Sequence, residues 1–142
     1  NFVFVAYAKQ DAEAEDEDPG PGRGFVDAYS FTGRFLGRIA SRGPLNAPWG
    51  LAVAPHDFGR FSGDLLVGNF GNGRIHAYRS FFGFFFLDGT LRDTSHHPVF
   101  IDGLWALRFG NGSAAGPTST LFFTAGPDEE HHGLFGSITA PH

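Results

Sequence analysis

The chain has 142 residues, of which 42% are hydrophobic, 16% aromatic and 18% charged, with 21 Gly, 9 Pro and no Cys. That composition describes one packed globular domain at most, and it excludes a disordered tail, a disulfide framework and a cysteine-ligated zinc. The net charge of −5 is concentrated: Asp11, Glu13, Glu15, Asp16, Glu17 and Asp18 supply six of the fifteen acids, leaving nine acids against ten bases elsewhere, so nucleic-acid binding lacks a basic surface.

In chain order, Phe2 to Ala8 alternates with both sets apolar, Val3, Val5 and Tyr7 on one side and Phe2, Phe4, Ala6 and Ala8 on the other. A strand of that kind needs cover on both faces. No basic leader or long apolar run precedes it, so no cleavable signal is expected. The acidic run Asp11 to Asp18 and Pro19-Gly20-Pro21-Gly22 form a long connection. Further apolar runs, bounded by Gly, Pro, Asn and Asp, predict strands at Gly24 to Tyr29, Phe35 to Ala40, Gly50 to Ala54, Asp64 to Asn69, Arg74 to Arg79, Phe84 to Leu87, Gly103 to Phe109, Thr120 to Ala125 and Leu134 to Thr139. The expected fold is all-β, with ten strands. Even the Phe-rich segment Phe81 to Leu87 is cut by Gly83 and ended by Asp88, well short of the about 18 apolar residues that a membrane span requires.

The strands repeat. Gly50-Leu51 is echoed by Gly103-Leu104 at an offset of 53, Asp64 to Asn69 by Thr120 to Ala125 at 56, and Gly24 to Tyr29 by Gly73 to Tyr78 at 49. Such offsets suit a four-stranded antiparallel unit with loops of variable length, the size of a β-propeller blade.

Pro48-Trp49-Gly50-Leu51-Ala52-Val53, followed by Gly63 to Ile75, resembles an NHL-type propeller repeat. Tyr7 to Asp11, Gly43 to Gly50, Ile101 to Trp105, Phe123 to Asp128 and His132 to Ile138 extend the likeness to nearly the full length. In these segments the chain is similar to the C-terminal part of a family of secreted bacterial propeller proteins of uncharacterised function, some of which carry an exosortase sorting tail. The departures are the Phe-rich segment Ser80 to Phe86, where such proteins more often have a polar turn, and the lack of a sorting tail after His142. The resemblance implies a partial β-propeller, from a six-bladed ring, and a secreted or cell-surface location. Residues 1–40 would supply strands B to D of one blade, 41–94 a complete blade, and 95–142 strands A to C of a third. A closed ring needs about four to eight blades, so the expected partners are remaining blades or further copies of the chain.

Catalytic patterns are missing: there is no Gly-x-Ser-x-Gly elbow, Walker loop or His-Glu-x-x-His, and Lys9 is the only lysine. Asn111-Gly112-Ser113 is a glycosylation sequon, relevant only in a eukaryotic secretory pathway. The residues that could bind a ligand are Asn69 and Asn72, at a Gly/Asn turn that lactonase-like propellers direct toward the channel, and Trp49 and Trp105, whose rings could stack on sugars or wedge neighbouring sheets. A Ca²⁺ site, the possible cofactor, would draw on Asp11, Asn69 and Asp102. His132, beside Asp128, Glu129 and Glu130, is the metal candidate among the paired histidines His96-His97 and His131-His132. The reading that follows is a non-catalytic extracellular binding or structural module. A calcium-dependent lactonase-like hydrolase and an assembly subunit are its alternatives.

Overall fold

A computed structural model describes residues 2–140; Asn1 and the final two residues, including His142, lie outside them. The fold is all-β. Ten strands run in chain order: β1 (Phe2–Tyr7), β2 (Phe25–Ser30), β3 (Phe35–Ser41), β4 (Pro48–Val53), β5 (Leu65–Asn69), β6 (Ile75–Phe81), β7 (Phe84–Thr90), β8 (Leu104–Phe109), β9 (Thr120–Ala125) and β10 (Leu134–Thr139). One 3₁₀ turn, Gly59–Phe61, is the only helical element among the described residues. Each predicted strand is present, with ends moved by up to three residues.

The strands form three antiparallel sheets, β1-β2-β3, β4-β5-β6-β7 and β8-β9-β10, each a meander in chain order. None is closed on itself. The middle sheet is apolar on both faces, because alternate residues of a strand point to opposite sides. On one side Leu65, Val67 and Tyr78 join Val26, Ala28, Ile39, Ala40 and Leu45 of the first sheet and its outgoing loop. On the other, Leu66, Ile75 and Ala77 join Leu104, Leu107, Leu121 and Ala125 of the third. Every residue of β5 is buried as a result, each large apolar side chain contributing roughly 1.5 to 3 kcal/mol. By contrast, Phe2, Val3 and Tyr7 of β1 remain exposed. The two-sided cover expected for β1 is found at β5.

Strand register corrects one equivalence read from the sequence. Pro48 pairs with Asn69 and, after an irregularity, Leu51 with Val67; Leu104 pairs with Ala125 and, after the same irregularity, Leu107 with Phe123. Over the first two strands of these sheets the repeat is therefore 56 residues, placing Leu107 on Leu51 and Trp105 on Trp49 rather than Leu104 on Leu51; in the next strand, where Val67 pairs with His76 and Phe123 with Gly136, it lengthens to 60. Gly103 falls on Ala47, and both have left-handed backbone, at φ 61° and 48°. Their carbonyls accept from equivalent amides, Gly126 N–H at 2.9 Å and Phe70 N–H at 2.9 Å. Shared Gly-Leu dipeptides suggested the offset of 53, but hydrogen bonding sets it.

Gly50 marks the closest approach of β4 to β8. A Cβ there would stand 2.5 Å from the Trp105 carbonyl oxygen and 2.9 Å from the Leu107 nitrogen. A second special position is the β6–β7 hairpin, where Phe81 pairs with Phe84 around Phe82 (φ 49°) and Gly83 (φ 83°). A two-residue hairpin with positive φ at both positions favours Asn-Gly. Phe82 holds that backbone at a cost of about 1 to 2 kcal/mol.

Candidate functional site

The starts of β4 and β8 bring Trp49 and Trp105 together. The rings, 45% and 37% exposed, meet edge to face with centroids 5.5 Å apart, and Phe70 packs on Trp105 at 6.0 Å. Edge-to-face rings at these distances attract beyond their burial. A cleft of about 340 Å³ opens beside Trp105, lined by Thr124, Gly126, Glu130, His131 and His132. Another, of about 450 Å³, runs between β1 and β4 beside Trp49, lined by Phe4, Val5, Ala6, Pro48 and Leu51. The tryptophans thus act as a wedge between sheets and also present partly open ring surface at two clefts.

Asn69, opposite Pro48 in the β4–β5 pairing, is fully buried. Its Oδ1 accepts from the Asn46 amide at 3.1 Å, and its Nδ2 donates to the Pro44 carbonyl at 3.0 Å. The side chain therefore ties β5 to the loop before β4. Asn72 closes the β5–β6 turn by accepting from the Arg74 amide at 3.2 Å. Arg74 donates to the carbonyls of Pro98 and Val99 at 2.6 and 3.0 Å, bridging to the segment that leads into the third sheet.

The acidic candidates have separate duties. Asp11 folds back on its own loop, accepting from the amides of Glu15 and Asp16 at 3.0 and 3.3 Å. Asp102, which register places on Asn46, accepts from the Asp128 amide at 3.0 Å. Asn46 in turn accepts from the Gly20 amide at 2.7 Å, so each of these equivalent side chains anchors a neighbouring loop. Asp18 pairs with Lys9 and Arg23, and the hydrogen bond from Lys9, aided by Arg23, holds its carboxyl below the usual range. His132 Nε2 lies 3.6 Å from the Asp128 carboxylate on an exposed turn. Among the described residues no three His, Asp or Glu side chains gather where they could hold a metal ion.

Sequence reasoning set Glu130 beside the paired histidines but did not foresee the strain around it. Asp128, Glu129 and Glu130 all take left-handed φ, at 57°, 50° and 66°, a conformation rarely adopted by consecutive non-glycine residues. The turn is held by hydrogen bonds from Glu130 N–H to Gly126 and from His131 N–H to Asp128. It sets Glu130, His131 and His132 on the cleft wall opposite Trp105. A local charge run carries no signal of that backbone.

Two uncharacterised proteins of Acanthamoeba polyphaga mimivirus are similar to this chain. One is 37% identical over 140 residues and the other 35% identical over 140 residues; the matches take in 96% of this chain but 33% and 35% of those proteins. A third uncharacterised protein of the same virus is 42% identical over 55 residues, 39% of this chain and 10% of its own length. The chain spans about a third of the length of the first two. No family model matches the sequence, and no solved structure matches it.

Proposed function

We propose that the chain is a section of a β-propeller that serves as a non-catalytic binding or structural module outside the cell. The observation that carries this reading is the 56-residue equivalence of register between the first two strands of consecutive antiparallel meanders, with β4 and β8 opening their sheets side by side. Repetition of one four-stranded unit, stacked face to face, is how propellers are built. In this reading residues 41–94 are a complete blade, flanked by parts of two others. The remaining blades come from further chain or further copies, and the relatives leave about two thirds of their length beyond the match.

The binding surface in this reading is the Trp49, Phe70 and Trp105 cluster with its adjoining clefts. Asn69 fixes the loop before β4, and Asn72 closes the β5–β6 turn that begins with Phe70. A secreted or cell-surface placement follows from the sequence resemblance to secreted propeller proteins. Electron microscopy of the protein expressed in full from its gene tests the reading. A closed ring of radial sheets around a channel is expected, and an open stack or a globular sandwich would refute it.

A further inference from the structure

Two strands of one kind are paired on both edges, and a third is not. β5 lies between β4 and β6, and β9 between β8 and β10, whereas β1 has β2 on one edge and no strand on the other. Pairing makes β1 the counterpart of β5. Val5 lies opposite Asp27 and Val67 opposite His76, and Asp27 falls on His76 at the offset of 49. The cores agree, since Val26 and Ala28 of β2 face the middle sheet as Ile75 and Ala77 of β6 face the third.

The open edge of β1 carries backbone groups that β2 does not use. The Arg42 amide donates to the Gly24 carbonyl at 3.2 Å, so even-numbered residues of β2 direct their backbone to β3 and odd-numbered ones to β1. Val3, Val5 and Tyr7 therefore bond to β2, and the amides and carbonyls of Phe4 and Ala6 point away from it. Among the described residues no other backbone group reaches them. In β5 the matching residues, Leu66 and Gly68, face β4: the Ala54 amide donates to the Asp64 carbonyl at 2.9 Å, and Ala52 lies opposite Leu66. Beside the β1 edge is the cleft of about 450 Å³, lined by Phe4, Ala6 and Ala8 on one side and by Trp49 and Leu51 of β4 on the other. Trp49 and Leu51 are the counterparts of Trp105 and Leu107, whose backbone Gly50 approaches. The place that β4 fills between β5 and β8 thus has its counterpart in this cleft between β1 and β4.

We propose that the cleft takes an extended peptide segment that adds to β1 as an antiparallel strand, in the register that β4 holds on β5. The inference rests on the proposed reading for the equivalence of the sheets, and not for closure of a ring. An edge of unpaired amides and carbonyls selects a strand over a lipid or a small ligand, and the side walls set its sequence. β4 and β8 share a tryptophan, a small residue and a leucine in succession, Trp49-Gly50-Leu51 and Trp105-Ala106-Leu107. The occupant needs its small residue against Leu51, as Gly50 lies against Leu107, and an apolar residue opposite Val5, as Leu51 lies opposite Val67. β4 and β8 of a second copy cannot supply it, because both are already paired with β5 and β9. The partner is a separate extended segment of that composition.

The test adds the peptide Ala-Pro-Trp-Gly-Leu-Ala-Val-Ala, the sequence of residues 47–54, to the 142-residue chain and follows amide hydrogen exchange residue by residue. Exchange at Phe4 and Ala6 should slow about tenfold or more, with β3, β7 and β10 unchanged. A peptide with Val in place of its Gly, or with an N-methyl group on the alanine that matches Ala52, should give no protection. Ala6→Pro removes a donor that faces away from β2, which an edge strand tolerates, so it should abolish peptide binding without lowering the melting temperature. The inference is overturned if the peptide protects neither amide, if it protects the edge of β3, β7 or β10 instead, or if the Val peptide protects equally well. It is also overturned if both amides are protected without peptide and lose that protection on dilution, since a second copy would then cover them. A closed ring under the electron microscope with no peptide binding would overturn this inference alone, and peptide binding to an open stack would overturn only the ring.

Discussion

His76 shows how burial of one residue becomes a pH dependence. Its Nδ1 lies 2.9 Å from the Thr90 hydroxyl, and its Nε2 is buried without a partner. Burial, with a smaller contribution from Arg74, lowers its pKa below the usual value. The unfolded chain therefore binds the proton more readily, and stability is full above about pH 6.5 and declines as the pH falls toward the folded value. Thermal melts between pH 8 and 5 should show that decline, and His76→Gln should flatten it; an unchanged slope in the variant would assign the decline elsewhere. Asn69 supplies a second prediction at this scale. Asn69→Ala strands the buried Asn46 amide and the Pro44 carbonyl, so it should cost about 2 to 3 kcal/mol, equally in Ca²⁺ and in chelator. A loss seen only with Ca²⁺ present would return Asn69 to the role of an ion ligand. Its place in a turn was legible from Asn and Gly spacing. Its burial was not, because the partners at Pro44 and Asn46 are more than twenty residues away.

Among the elements, alternation and turn residues located all ten strands, since both signals are local. Equivalence between units was less legible. The Gly50-Leu51 and Gly103-Leu104 dipeptides look alike, yet Gly50 is the site of close sheet contact and Gly103 the left-handed entry to a strand. Gly50→Ala should therefore push β4 from β8 and cost roughly 1 to 3 kcal/mol in chemical denaturation. Gly37→Ala, where a Cβ meets nothing within 4 Å, should change stability little. Equal effects at the two sites would show that the contact near Trp105 does not hold the sheets in register. The Phe-rich hairpin was visible as a departure in the sequence, but the contact of Phe85 with Phe4, with ring centroids 5.9 Å apart, joins separate sheets and had no local signal.

At the scale of the whole molecule, the middle sheet is covered on both faces and the two outer sheets on one. Phe2, Val3, Phe35 and Leu36 stay exposed on the first sheet, and Leu134 and Phe135 on the third. Burying such surface is worth about 25 cal/mol per Å², so a few hundred Å² amounts to several kcal/mol, comparable with the stability of a domain. The number of sheets and their order were legible from the repeat. Periodicity within the chain carries no signal of what, in the proposed assembly, would cover the outer faces. Light scattering of the isolated 142-residue chain at micromolar concentration tests most directly that it is a section of a larger stacked assembly. The account predicts self-association and loss of cooperative unfolding, whereas a stable, compact 15.4 kDa monomer with one sharp transition would contradict it.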